Sequence, residues 1–310
     1  MERTCWRGVS IEHPALWEIA VAFAPPEDGR LTFVDRRYTR MDMRWRTLKY
    51  VPDMKDMLYR FQRDAKKADD DGVETLPLKG VPEPWKGFVR RGKQGSVIHA
   101  TRFFKEQRLL VETVIVWPKD RHRDLERYIL ESVSVADAKG AKTEPWRALG
   151  LEADVPAGFR LTDNNARVGR VAWTFAAPAE KQERTKNEKQ PPQLIVERLA
   201  MVDQWLAKPL EEWLKGELPP ASGVLGSEKV LFNGHDAQQL LSATKIGTVG
   251  TVLGWRRYRL DVAWRCESDL RLYHVAWSMT AKKGHPIALP TALRVACCQP
   301  PPVVVDDVEL

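Results

Sequence analysis

The chain repeats itself. The stretch Gly8–Ile19, GVSIEHPALWEI, returns at Gly150–Leu161 as GLEADVPAGFRL. Without a gap, Gly8 falls on Gly150, Pro14 on Pro156, Ala15 on Ala157, Trp17 on Phe159 and Ile19 on Leu161. A second echo follows in each half, GRLTF at Gly29–Phe33 and GRVAW at Gly169–Trp173. A period close to half of 310 residues means two copies of one domain, not a solenoid of short units. The length agrees, at roughly 150 residues per domain, and a copy of that size buries about two-thirds of its surface. The expected division is 1–135 for the first copy, 136–148 for a linker, 149–298 for the second copy and 299–310 for a flexible tail, a pseudo-twofold duplicated chain.

In the first copy, Val9 and Ile11 before His13-Pro14 read as a short strand, because proline pushes the residue before it to extended geometry. Arg30–Asp35 and Arg40–Leu48 form a hairpin around Arg36-Arg37-Tyr38. In its second strand Met41, Met43 and Trp45 take one face, and Arg40, Asp42, Arg44 and Arg46 the other, the pattern of an antiparallel sheet with one solvated side. Pro52-Asp53 opens a helix with Met54, Met57, Leu58 and Phe61 on one stripe. A second hairpin pairs Val97–Phe104 with Leu109–Trp117, and Leu125, Tyr128 and Ile129 mark a closing helix.

The second copy follows the same plan. Arg170–Ala176 and Gln193–Val202 repeat the hairpin, and Leu194, Val196 and Arg198 stand in the register of Met41, Met43 and Trp45. Between them, residues 179–192 have the Lys-, Glu- and Gln-rich composition of a disordered flap. Leu210, Trp213 and Leu214 mark the matching helix, SGVLGS at Ser222–Ser227 reads as a loop, and Asn233-Gly234 as a turn entering a helix. Arg256–Cys266 and Leu270–Met279 form the strongest hairpin. The fold class expected is α+β: two tandem copies of an antiparallel sheet packed with helices, like an α-β-α sandwich.

The pattern resembles the fold shared by the photosystem PsbP proteins, the DcrB lipoprotein and their relatives. The resemblance rests on Gly8, Pro14 and Trp17, on Gly150, Pro156 and Phe159, and on the two late hairpins. It implies a sheet sandwiched by helices and a non-enzymatic binding, assembly or chaperone role. The chain departs from that group in being doubled and in showing no lipobox or transit peptide.

A net charge of +7 and a pI near 9.2 favour acidic partners: protein, nucleic acid or anionic lipid. Four cysteines are too few for a disulfide scaffold. No apolar run reaches the roughly 18 residues of a membrane span, so no membrane partner is expected and the cytoplasm is the expected location. Neither G-x-S-x-G nor H-E-x-x-H occurs, no cofactor motif is complete, and no enzymatic activity is expected. Cys266, Cys297 and Cys298 with either His235 or His274 would supply four zinc ligands, although adjacent cysteines on a strand point in opposite directions.

The basic faces are the main polar feature: Arg36, Arg37, Arg40, Arg44 and Arg46 in the first copy, Arg256, Arg257, Arg259 and Arg265 in the second. Arginine suits bidentate contact with carboxylate or phosphate. The same residues could equally pair internally with Asp42, Glu112 and Asp261. The leading expectation is a protein-binding adaptor, assembly factor or chaperone-like protein. The alternatives are a nucleic-acid-binding protein that uses the arginine-lined sheets, and a thiol or zinc protein centred on the C-terminal cysteines.

Overall fold

Gly8 and Gly150 recur because one backbone conformation recurs. The computed structural model describes residues 1–23, 28–67, 73–93, 95–137, 140–178, 191–247 and 251–298. In it Arg7 and Gly8 have φ of 49° and 72°, and Leu149 and Gly150 have 55° and 69°. Two successive positive values belong to a type I′ turn, which glycine enters without a Cβ penalty. The proline six residues later recurs for its own reason. Trp17 N donates to Pro14 O at 2.9 Å and Phe159 N to Pro156 O at 3.3 Å, so both chains turn over the same carbonyl.

The chain divides into Met1–Gly150 and Leu151–Leu310. The first unit runs β1 (Glu2–Trp6), β2 (Val9–His13), β3 (Glu18–Phe23), β4 (Asp28–Val34), β5 (Thr39–Thr47), α1 (Met54–Lys67), β6 (Glu74–Pro77), β7 (Lys86–Gly92), β8 (Gly95–Phe104), β9 (Leu109–Trp117), α2 (Arg123–Ser132), β10 (Ser134–Val135) and β11 (Thr143–Ala148). Seven strands form one sheet in the order β3-β4-β5-β9-β8-β7-β6, antiparallel at every pairing. Leu31 and Phe33 of β4 and Met41 and Met43 of β5 are fully buried with Trp45. The alternation of β5 therefore sets the core face. On the smaller set β10-β2-β1-β11, α2 buries Ile129 and Leu130. Its end is fastened by Trp85 Nε1, which donates to Leu130 O at 2.9 Å, and by Glu12 N, which donates to Ser132 Oγ at 2.9 Å. The start of α1 is capped by Asp53, whose Oδ1 accepts from the N–H groups of Lys55 (2.9 Å) and Asp56 (3.2 Å).

The second unit runs β12 (Leu151–Pro156), β13 (Arg160–Arg167), β14 (Arg170–Ala176), β15 (Gln193–Leu199), α3 (Val202–Trp205), α4 (Leu210–Gly216), β16 (Gly223–Phe232), β17 (His235–Lys245), β18 (Trp255–Cys266), β19 (Arg271–Lys282) and β20 (Arg294–Ala296). Its large sheet has the order β13-β14-β15-β19-β18-β17-β16. Strand for strand this is the order of the first sheet, with helices again inserted after the third strand. β12 and β20 pair antiparallel beside it, with Ala153 opposite Val295.

The α+β sandwich expectation is overturned. Of the described residues 54% are strand and 13% helix, a β-rich architecture in which helices cover parts of sheets and do not enclose them. The excess comes from segments without an apolar face. SGVLGS is the start of β16, an edge strand exposed along most of its length, so the period-two signal that marks half-buried strands is absent from it. Asn233-Gly234 turns into strand β17, not a helix. Thr143–Ala148, within the expected linker, is β11. The flap at 179–192 and the tail at 299–310 fall wholly or mostly outside the described residues.

Gly29 on β4 stands opposite Trp45, and a Cβ there would lie 2.2 Å from Trp45 Cε2. Trp45 is itself buried on all sides, so the ring has nowhere to go. Gly29→Ala is expected to lower stability by about 1–3 kcal/mol in urea unfolding. Gly216→Ala, where nothing lies within 4 Å of the added carbon, leaves the midpoint unchanged or raised.

Candidate functional site

The third strand of each large sheet pairs with the strand that closes the fold, and the pairing brings ionisable residues together on the face towards the inserted helix. In the first unit Arg44 of β5 lies opposite Glu112 of β9. In the second, Glu197 of β15 lies opposite His274 of β19. The two faces then develop differently.

In the second unit the face is closed. Leu214 of α4 is fully buried against Leu199, Leu240, Ala263 and Leu272, with Leu210 and Trp213 packed alongside. Beneath the edge of the Trp213 ring (centroids 5.4 Å apart, T-shaped) sits His274. Its Nδ1 is 3.1 Å from Glu197 Oε2 and its Nε2 2.8 Å from Asp261 Oδ1. Arg259 contacts Asp261 at 2.8 Å, and Arg170 pairs with Glu197 and, at 3.6 Å, with Glu217. Burial by itself would push the His274 pKa down, but the hydrogen bonds and charges of Asp261 and Glu197 outweigh it and hold the pKa above 6.5. Burial would raise both carboxylates, and His274 and the arginines hold them below their usual range. With both ring nitrogens engaged, His274 has no lone pair for a metal.

In the first unit the face is open. Met54, Met57, Leu58 and Phe61 of α1 stay half-buried, and a groove of about 470 Å³ lies between this helix and the strands. Leu58 and Phe61 line one wall, with Arg44, Arg46, Glu112 and His99 on the other. The His99 ring stacks on Phe88 (4.5 Å, 10°). Burial, aided by the Arg90 charge, lowers its pKa to about 4, so it is neutral at pH 7. Its buried Nε2 has no hydrogen-bond partner among the described residues. Burial raises the Glu112 pKa even though Arg46 and Arg44 pull it down.

Within each unit the arginines are divided among separate polar contacts. Arg36 and Arg37 are exposed in the β4–β5 turn, where Asp35 Oδ1 accepts from the backbone N–H of Arg37 and Tyr38, and Arg40 pairs with Asp35. Arg44 contacts Asp42 at 3.0 Å and Arg46 lies 3.8 Å from Glu112. In the second unit Arg257 donates to Gln193 Oε1 at 3.2 Å and Arg265 pairs with Asp203 at 2.6 Å. Arg256 alternates to the opposite face of β18. A stacking surface for nucleic acid needs aromatic rings beside such arginines. Nine of the 12 tryptophans are buried, leaving Trp205, Trp213 and Trp255, and Tyr38 is exposed beside Arg36 and Arg37.

Cys266, Cys297 and Cys298 do come together, and the histidine that joins them is His235, not His274. The register could have indicated it. With Ala237 opposite Trp264, two further residues along each strand bring His235 level with Cys266.

No protein-family model matches the chain, and no curated protein does. Among solved structures it is similar to the T6SS immunity protein TplEi from Pseudomonas aeruginosa, at 10% identity and a TM-score of 0.41 over 94% of this chain and 96% of that one. The Tle4–Tli4 complex matches at 9% identity and a TM-score of 0.39 over 92% and 89% of the two chains. The protein Mog1 matches at 15% identity and a TM-score of 0.29 over 46% of this chain and 80% of that one. These are not PsbP or DcrB proteins. At such TM-scores the similarities carry no argument about residues or activity.

The buried network makes stability depend on pH from both sides. His274 has a raised folded pKa, so its contribution is complete below 6.5 and is lost as pH rises through the folded value. Glu197 and Asp261 have lowered values, so theirs is present above the ordinary carboxylate range and lost as pH falls through the folded values. Urea unfolding across pH should show His274→Gln abolishing the alkaline slope. Glu197→Gln should cost about 3 kcal/mol at neutral pH, because it strands a buried partner.

Proposed function

We propose that this chain is a non-enzymatic protein-binding protein whose first unit receives an acidic segment of its partner in the groove beside α1. The observation that carries the reading is the contrast between two faces of one topology. The second is sealed by Leu214 and Trp213, while the first keeps an apolar helix stripe half-covered and a groove of about 470 Å³ open.

The charge on the rim favours an acidic occupant. Arg44 and Arg46 have side chains 59% and 48% exposed, whereas their partners Asp42 and Glu112 are 19% and 23% exposed. An approaching chain therefore meets the Arg44 and Arg46 guanidinium groups before Asp42 and Glu112, while Asp64 of α1 is an exposed carboxylate of the lining, 3.5 Å from Arg63, and the net charge of +7 favours an acidic occupant at longer range. Leu58 and Phe61 offer the apolar contact that would seat an aliphatic or aromatic side chain. The reading is of the same kind as the protein–protein pairing named for the Tle4–Tli4 complex, without resting on it.

A photo-crosslinking residue placed at position 58 of the full chain tests this in cells that make it. A discrete protein adduct that survives nuclease is expected, with none from the same residue at position 168, which is 97% exposed in the second unit. Arg44→Ala with Arg46→Ala should weaken binding of the captured partner by about tenfold or more while leaving thermal unfolding nearly unchanged. Equal adducts from both positions, or adducts that disappear with nuclease, would contradict the proposal.

A further inference from the structure

We propose that His235, Cys266, Cys297 and Cys298 form a structural zinc site in the second unit. Their ligand atoms all lie within 4.8 Å of one another. His235 Nε2 is 3.1 Å from both Cys297 Sγ and Cys298 Sγ, Cys266 Sγ is 3.6 Å from Cys298 Sγ, and Cys297 Sγ is 3.9 Å from Cys298 Sγ. A tetrahedron built on Zn–S of about 2.3 Å and Zn–N of about 2.0 Å has edges of about 3.8 Å between sulfurs and about 3.6 Å between sulfur and nitrogen. The two sulfur–sulfur separations bracket the edge between sulfurs, and the two nitrogen–sulfur separations are about 0.5 Å shorter than the sulfur–nitrogen edge. Three thiols and an imidazole meeting at one point is the donor set of structural zinc, with no position left for a water or substrate.

Backbone geometry makes the convergence achievable. Adjacent cysteines on a strand would point apart, but β20 ends at Ala296 and Cys298 takes a left-handed conformation, φ 64°. This turns its sulfur to the same side as that of Cys297. Asn233 and Gly234, at φ of 51° and 78°, form the tight turn that sets His235 at the start of β17. Asn233 Nδ2 donates to Val295 O at 2.7 Å, clipping that turn to β20. Cys298 N–H donates to Cys266 Sγ at 3.3 Å, the kind of backbone donor that offsets thiolate charge at a metal centre.

A disulfide accounts for less. It would engage two sulfurs and leave a third thiol and an imidazole converging on it for no purpose. In the zinc reading all four donors are used: His235 binds as neutral imidazole through Nε2, the three thiols release their protons to solvent, and no electron is transferred. The site would join three segments distant in sequence: the β16–β17 turn, the end of β18 and the residues after β20.

The full chain, expressed with zinc and purified without chelator under argon and reductant, should carry about one zinc per chain by plasma mass spectrometry. Cobalt(II) added to the metal-stripped protein should give thiolate-to-metal charge-transfer bands and the strong d–d absorption of a tetrahedral site. His235→Ala and Cys266→Ser should each lower zinc affinity by more than about tenfold in competition with a chromogenic chelator, whereas Cys5→Ser, in the other unit, should leave it unchanged. Failure of a variant to fold does not shield the proposal, because the cobalt spectrum is taken on the native sequence. The absence of both zinc and the cobalt bands from the folded native chain would overturn it. So would a Cys266–Cys298 disulfide in the reduced preparation, iron in place of zinc, or cobalt bands unaltered in Cys266→Ser.

Discussion

Each large sheet depends on one pairing between strands far apart in the chain, β5 with β9 and β15 with β19. Met41 lies opposite Ile115, and Leu194 opposite Trp277. One helix and three strands intervene in the first unit, and two helices and three strands in the second, so the chain must close a long loop before this contact forms, at an entropic cost that apolar burial has to offset. The register of that contact also fixes everything lateral to it. Strand side chains alternate, so a slip of one residue would drive Arg44 and Glu112 into the core and lift Met43 onto the helix side. The core of Met41, Met43 and Trp45 and the ionic face are thus two consequences of one alignment.

From there the copies diverge on the question of water. Glu197 and Asp261 are almost wholly buried with His274, and charges in that position are tolerable only when every one is paired. Arg170, Arg259 and His274 complete the set, which allows α4 to close over it with Leu214 and Trp213. Asp42 and Glu112 in the first unit keep contact with solvent, and their arginine partners are largely exposed. Pairs of that kind contribute little to stability and are screened by salt. Nothing there compels α1 to seal the sheet, and it lies half-buried with a groove beneath it.

What the sequence disclosed follows the same physics. Alternating strands with one buried face, such as Met41–Trp45 and Tyr258–Cys266, were legible because burial leaves a period-two trace. The stripe of α1 and the doubled plan were legible for similar reasons. β16 was not, because an edge strand exposed on both faces has no such trace. The dominance of sheet over helix was missed in consequence. Of the candidate site residues, the arginines could be named together with Asp42, Glu112 and Asp261 as internal partners, but the joining of Glu197 to His274 could not, since pairing across β15–β19 depends on a register that no local spacing encodes. Glu197 falls on Arg44 when the two copies are aligned, and that was the one available hint that this position faces a helix. Choosing between His235 and His274 required the β17–β18 register, and the use of both Cys297 and Cys298 required a positive φ at a residue that is not glycine.

β18 shows how far the second unit has been specialised from the shared plan. Its odd-numbered face carries Arg259 and Asp261 into the ionic network under α4, and its even-numbered face runs through Tyr258, Leu260, Val262 and Trp264 to Cys266. One strand is therefore held by charge pairing on one side and ends in the cysteine–histidine cluster on the other. β8 occupies the same place in the first sheet and has neither. Its helix-side residues include His99 with an unpartnered nitrogen, and its core side is Ile98 and Ala100. A strand fastened on both faces resists local opening. The two units thus differ in where the polar groups of the shared plan go, into a sealed network under α4 in the second and onto the wall of an open groove beside α1 in the first.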